Sequence, residues 1–402
     1  MTAQPQQSAP VGVHRHPVTR DRMDPGLIDV PPGLAGVVAA QTSIGDVRGL
    51  EGFYHYRQYS AVDLATRTSF EAVWRLMVDG ELPSAADESA FSSEVRAARP
   101  LPEEVRTALP TIAAATEAAD SLAGLRAALA LTTAADGFGP LYDEDQRTRR
   151  RRAIRVAAIT PVLLASLHRI RCGQEILDPR EDLDHTSHYL WMLTGEEPDD
   201  RCRRAVNAYL ISTIDHGFNA STFTARVIAS TGADLGSCVL GALGSLSGPL
   251  HGGAPSRALD TLDAIGTPDR IDGWVREAVA SGRRMMGFGH PVYRTEDPRS
   301  AMLKQIAQEF GGPRVDFAVQ VERAVLDILA ELKPGRALHT NVEFYAGVVM
   351  EACGIPREMF TPTFAVGRMV GWTAHILEQA ADPKIIRPSS RYVGPTAPQP
   401  FD

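Results

Sequence analysis

Ser69-Phe-Glu-Ala-Val-Trp-Arg-Leu-Met-Val-Asp-Gly80 sets Phe70, Val73, Trp74 and Met77 three and four residues apart and stops on a glycine. That is the helical period with a C-terminal stop signal. The same pattern recurs downstream with little interruption. Residues 84–98, 103–116, 121–135, 150–171, 181–194, 199–216 and 221–232 read as helices, as do 255–265, 271–282, 299–310, 316–332, 341–353, 357–360 and 362–380. Cys238-Val-Leu-Gly-Ala-Leu-Gly-Ser-Leu-Ser-Gly248 is apolar with small residues every few positions, which lets another helix approach closely. It fits either a buried central helix or a subunit seam. Upstream, the glycine-punctuated alternation of Thr42 to Arg57 predicts a short hairpin, the one strand signal in the chain. Residues 1–32, rich in Pro, Gln and Ser, read as a disordered tail, and Lys384 to Asp402 as an irregular Pro-rich arm. The expected class is all-α: one helical domain interrupted by a smaller one, without internal repeats.

The 402 residues suffice for one large or two moderate domains. A formal charge of −8 argues against a nucleic-acid partner. Only three of the 41 basic residues are lysines, so an arginine here carries weight only inside a motif. Cys172, Cys202, Cys238 and Cys353 lack the paired spacing of a zinc or redox site, which points to reduced thiols in a cytoplasmic protein with no metal. No uninterrupted apolar run reaches the roughly 18–20 residues of a membrane span, and no signal peptide opens the chain. The run Arg147-Thr-Arg-Arg-Arg-Arg-Ala-Ile-Arg155 reads as a solvated helix face rather than a phosphate site.

Chemistry concentrates in Met286-Gly-Phe-Gly-His-Pro-Val-Tyr-Arg-Thr-Glu-Asp-Pro-Arg299. Glycines before His290 admit close backbone approach, and Pro291 stiffens the turn. Arg294 and Arg299 offer forked donors for carboxylate or phosphate. The Gly-Phe-Gly lacks the third glycine and preceding strand of a dinucleotide fingerprint. His251 lies among glycines in Ser247-Gly-Pro-Leu-His-Gly-Gly-Ala-Pro255, just before a helix start whose dipole favours neutral imidazole. A neutral imidazole can donate to a carbonyl turning into an enolate. His216 ends a helix in Asp215-His-Gly-Phe-Asn219, where a capping role competes with a functional one. Glu343, in Thr340-Asn-Val-Glu343, is either half of a capping box or a general base. Arg368 is a charge on an apolar helix and needs a partner; Arg387, on the arm, reads as surface. Together these groups suit proton abstraction beside a carbonyl, followed by addition to a second carbonyl that bears carboxylates.

In this combination and order, Gly248-Pro-Leu-His-Gly-Gly253, Gly287-Phe-Gly-His-Pro-Val-Tyr-Arg294, Asn341-Val-Glu-Phe-Tyr345 and Arg387-Pro-Ser389 resemble the citrate synthase family, in particular its short dimeric actinobacterial type. The resemblance spans about Gly33 to Gly394. It implies an all-α homodimer with a large domain (33–252 and 365–402) and an inserted small domain (253–364). It also implies condensation of acetyl-CoA with oxaloacetate and water to citrate and coenzyme A, with no permanently bound cofactor and no membrane partner. His251 would hydrogen-bond the thioester oxygen, His290 would polarise the oxaloacetate ketone, and Glu343 would be the base. His216, Arg299 and Arg368 would bind oxaloacetate, joined by Arg387 of the partner subunit, while Arg294 and the Gly287 backbone would lie against coenzyme A. The family's usual base is aspartate, so Glu343 departs from the pattern by one methylene. Propionyl-CoA as substrate (2-methylcitrate synthase), or a weakly active acyl-CoA- or dicarboxylate-binding paralogue, are the alternatives.

Overall fold

The computed structural model describes residues 27–117, 120–249, 251, 255–283, 285–289, 292–333 and 338–400. The chain divides into a unit formed by residues 1–41 and 386–402 and a unit spanning Thr42–Ile385. In the first, the described residues form a 3-10 turn at Pro32–Leu34 and an Arg391–Asp29 ion pair of 2.8 Å, with no longer regular element.

The second unit opens with a small antiparallel sheet: β1 (Gly45–Arg48), β2 (Phe53–Tyr56) and β3 (Tyr59–Ser60). Gly45 pairs with Tyr56 and Arg48 with Phe53. The hairpin is as the sequence predicts, and the two-residue third strand is an addition. Helices follow without further sheet: α1 (Ala61–Arg67), α2 (Phe70–Asp79), α3 (Ala85–Ala97), α4 (Glu103–Ala115), α5 (Ser121–Ala135), α6 (Gln146–Arg171), α7 (His185–Thr194) and α8 (Asp200–Thr213). Then come α9 (Ala220–Ala229), α10 (Leu235–Leu246), α11 (Pro255–Ile265), α12 (Ile271–Ala280), α13 (Pro298–Phe310), α14 (Pro313–Leu332), α15 (Val342–Ala352) and α16 (Phe360–Ala380). The fold is all-α.

Local chemistry sets these boundaries. Ser60, Ser69, Ser84, Asp145, Asp184, Asp199, Asn219 and Asp234 each accept an amide of the following first turn. Gly80 and Gly195 close α2 and α7 in the left-handed conformation, at φ 95° and 83°. The cap at Asp145 starts α6 four residues before the expected 150, because Thr148 N–H finds its carboxylate.

α6 is the axis of the interior, packed by α4, α5, α7 and α16. It is long and apolar enough to cross a membrane by length and composition, contrary to the sequence estimate, yet 83% of that window is buried within the protein. On its basic first turns Arg147 and Arg151 are exposed, as the sequence suggests, while other arginines form a brace. Arg150 binds Asp79 and Glu94, Arg155 binds Asp136 and the Ala98 carbonyl, and Arg149 donates to the Ala380 carbonyl. α10 buries Cys238, Val239, Ala242, Leu243 and Leu246; a Cβ on Gly241 would sit 2.3 Å from Ile228 of α9, so the small residue serves close helix packing. All four cysteines are free thiols.

One polar cluster is fully internal. Glu71 of α2 accepts the His185 amide at 2.7 Å, beside Arg99, and His185 stacks on Phe70 at 5.0 Å. Burial lifts the Glu71 carboxyl to about 7 and presses His188 down to about 3. A carboxyl raised on folding costs stability as pH climbs from about 4.5 through its folded value. Glu71→Gln should therefore melt higher than wild type at pH 8, where the buried carboxylate is charged. At pH 5, where Glu71 is already neutral, the two should melt together. Thermal scans at the two pH values test this, and equal differences at both would refute it.

Candidate active site

The motif 286–299 is held by the sheet on one side and by the α15 approach on the other. Gly49, in the β1–β2 turn, lies so close that a Cβ there would meet the Val292 carbonyl oxygen at 2.3 Å, and Arg294 N–H donates to the Gly49 carbonyl. At the other end, Gly289 N–H donates to His339, Asn341 N–H to Gly287, and the Asn341 side chain to Gly289. Gly287, at φ 86°, faces Phe344 so closely that a Cβ would have 3.0 Å of room. These pairings tie the motif to the N-terminus of α15.

Arg299 stands in the first turn of α13, 3% exposed. Asp297 caps that helix and grips the guanidinium through both oxygens, at 3.0 and 2.8 Å. The same carboxylate accepts Val342 N–H at 3.1 Å, so one buried acid orients the arginine and fixes the start of α15. The guanidinium lies 5.8 Å from the ring centroids of Tyr54 and Tyr293. His216 is within hydrogen-bond distance of the Tyr293 hydroxyl (3.0 Å) and tilts against Tyr54.

Arg368 projects from α16 where that helix crosses the end of α8. A Cβ on Gly371 would overlap the Ile214 carbonyl oxygen at 1.9 Å, so the backbones touch. The buried Arg368 donates from Nε to the Thr213 carbonyl at 2.7 Å, with Phe364 4.6 Å beneath it. Asp215 and Arg299 are among its charged neighbours, and burial lowers its pKa. Behind it, Arg226 donates to His375 Nδ1, which places the imidazole proton on Nε2, 3.3 Å from Asp215.

His251 is half-buried, with Nε2 2.8 Å from Ser221 Oγ. Its pKa is lowered, as the sequence suggests, but the causes are burial first and Arg368 second rather than the helix terminus. Ser221 also accepts the Trp372 indole N–H and donates to Asn219 Oδ1 at 2.8 Å, which takes Thr222 N–H as well.

Glu343 lies in the first turn of α15, partly buried. The capping box expected from Thr340 and Glu343 does not form. Asn341 is the cap and accepts Glu343 N–H at 3.1 Å, while the Thr340 hydroxyl donates to Glu322 of α14.

The described residues thus bring His216, His251, Arg299, Arg368 and Glu343 into one electrostatic neighbourhood. The Arg294 side chain is exposed, and Arg387 belongs to the terminal unit, exposed as well. His290 lies outside the described residues. Sequence reasoning passed over Tyr54, Tyr209, Tyr293, Asp215, Asp297 and Ser221; Tyr293 and Asp297 stand inside the quoted motif, where attention went to the histidine and arginines. Among the described residues no group of three His, Cys, Asp or Glu could hold a metal ion.

A family model, "Citrate synthase, C-terminal domain", matches residues 33–389. A Mycobacterium tuberculosis protein provisionally named citrate synthase 2 is 40% identical over 369 residues, 90% of this chain and 93% of that one. Among solved structures, citrate synthase from Thermotoga maritima superposes with a TM-score of 0.80 at 35% identity, covering 92% of this chain and 98% of its own. The Thermoplasma acidophilum enzyme, solved with carboxymethyl coenzyme A and oxaloacetate, gives 0.83 at 27% identity over 91% and 97%. Family match, identity and superposition agree with the geometry: the chain belongs to the citrate synthase family of acyltransferases.

Proposed function

We propose that the protein condenses acetyl-CoA with oxaloacetate and water to give citrate and coenzyme A. The observation that carries this is the pair of buried guanidiniums, Arg299 and Arg368, beside His216 and a neutral His251. Two fixed cations suit a small dicarboxylate, and a neutral imidazole suits a thioester whose oxygen gains charge.

Glu343 takes a proton from the acetyl methyl group as His251 donates to the thioester oxygen. Ser221 gives its one proton to Asn219 Oδ1 and stands 2.8 Å from His251 Nε2, fixing the orientation of the imidazole. The enol carbon then attacks the oxaloacetate ketone, polarised by His290, and water cleaves the citryl thioester. His216, Arg299 and Arg368 hold the oxaloacetate carboxylates. Arg294 and the Gly287 backbone flank coenzyme A, and the segment 253–364 acts as a small domain closing on the large one. The enzyme works in the cytoplasm as a homodimer.

Release of free thiol, followed with oxaloacetate and either acetyl- or propionyl-CoA, tests the reaction. One methylene in an apolar pocket is worth about 1–3 kcal/mol, so the expected preference for acetyl-CoA is about 10-fold or more. A preference for propionyl-CoA would make the protein a 2-methylcitrate synthase, and no thiol release with either would refute the assignment.

Arg387 is assigned to the partner's site. Inactive Arg387→Ala and inactive His290→Ala proteins, mixed under conditions that exchange subunits, should regain activity, because a heterodimer then holds one intact site. Exchange seen by mass without activity would remove Arg387 from that role.

A further inference from the structure

Tyr209 carries a buried hydroxyl in this region that the reaction above leaves unused. It lies in α8, one turn before Thr213, whose carbonyl holds Arg368. Only 1% of the residue is exposed, yet its hydroxyl has no hydrogen-bond partner among the described residues. Among the described residues, Glu343, Arg368 and Arg299 are charged groups that act on that hydroxyl, with Glu343 the strongest of them. A buried phenol without a partner is destabilising, so its retention needs a reason. Among the described neighbours, the Tyr189 hydroxyl is committed to Thr363 and Arg368 Nε to Thr213.

Glu343 supplies the reason. A base one methylene longer than the family's aspartate carries its oxygens further from α15, and α15 packs against α8. An ionised carboxylate accepts, and a phenol can donate.

We propose that Tyr209 is a positioning residue for the catalytic base: in the reacting complex its hydroxyl donates to the Glu343 carboxylate and holds the longer side chain in line with the substrate methyl. This rests on the reading of Glu343 as the base, and the test separates the two. Tyr209→Phe removes one oxygen and keeps the ring, so it should fold and melt no lower than wild type, having lost an unpartnered buried hydroxyl. It should lower kcat about 10-fold or more, the usual weight of a hydrogen bond to a charged group. KM for oxaloacetate should stay within about twofold, because Arg299 and Arg368 are untouched. The acid limb of the kcat–pH profile should move up by about one unit, since a carboxylate that loses a donor holds its proton more tightly. In a Glu343→Asp background the shorter carboxylate no longer reaches the phenol, and Tyr209→Phe should change kcat less than about twofold. Equal losses in both backgrounds, or an unmoved acid limb, would overturn the proposal and leave Tyr209 structural. An active Glu343→Gln enzyme would instead remove Glu343 as the base, whatever Tyr209 does.

Discussion

Glu343→Gln should melt within a degree or two of wild type and lose nearly all condensation activity, by about 10²–10⁴-fold. Asn341 caps α15 and accepts Glu343 N–H, and Thr340 donates its hydroxyl to Glu322, so the Thr340–Glu343 capping box is not what the substitution would disturb. The amide keeps the size and hydrogen-bonding reach of the acid but cannot take up the methyl proton. Glu343→Asp keeps the carboxylate and withdraws it by one methylene. Misplacement near 1 Å costs on the order of 10²-fold in well-oriented reactions, so partial activity below wild type is the expected result. Steady-state thiol release with thermal melts of the same preparations decides this. A Gln variant near wild-type turnover would assign the proton to another group; an Asp variant faster than wild type would mark Glu343 as a compromise and favour the weakly active alternative.

His251→Ala should cost about 10²–10³-fold or more in kcat, with the fold intact. The imidazole donates where charge develops only as the enol forms, and such donors are worth that much in a water-excluded site. Its neutral form is set by burial and by Arg368, both of which lower its pKa. Protonation of this residue should therefore not limit the rate at pH 6.5, where an ordinary histidine is half charged. Loss of activity with a midpoint near 6.5 that disappears in the alanine variant would contradict the neutral-donor role.

The helical class was legible in the spacing of Phe70, Val73, Trp74 and Met77 and in repeats of that spacing, because one buried stripe per helix is a local property of sequence. The errors are non-local or occur where charge hides the pattern. The start of α6 lies earlier than its charge pattern suggests, because Arg149, Arg150 and Arg152 find partners in α2, α3 and α16 and at the turn after α5. Seven-residue α1 is too short to show a period. The capping pattern at Thr340 failed because a carboxylate eighteen residues away, on α14, offers that hydroxyl a buried bond. In the site, His216, His251, Arg299 and Arg368 stood out by residue type. Asp297 did not, since its two duties, gripping Arg299 and receiving Val342 N–H, join segments 45 residues apart.

The burial of α6 has a kinetic consequence. From Ala153 to Arg169 every side chain but that of Arg155 is buried, under α4, α5, α7, α16 and their neighbours. Amides there can meet solvent only when those layers part, so deuterium should enter them last, at the rate of global opening. They form a built-in gauge of the whole unit's stability. The terminal residues Asn219 and Asn341, at helix starts, should label far sooner through local fraying.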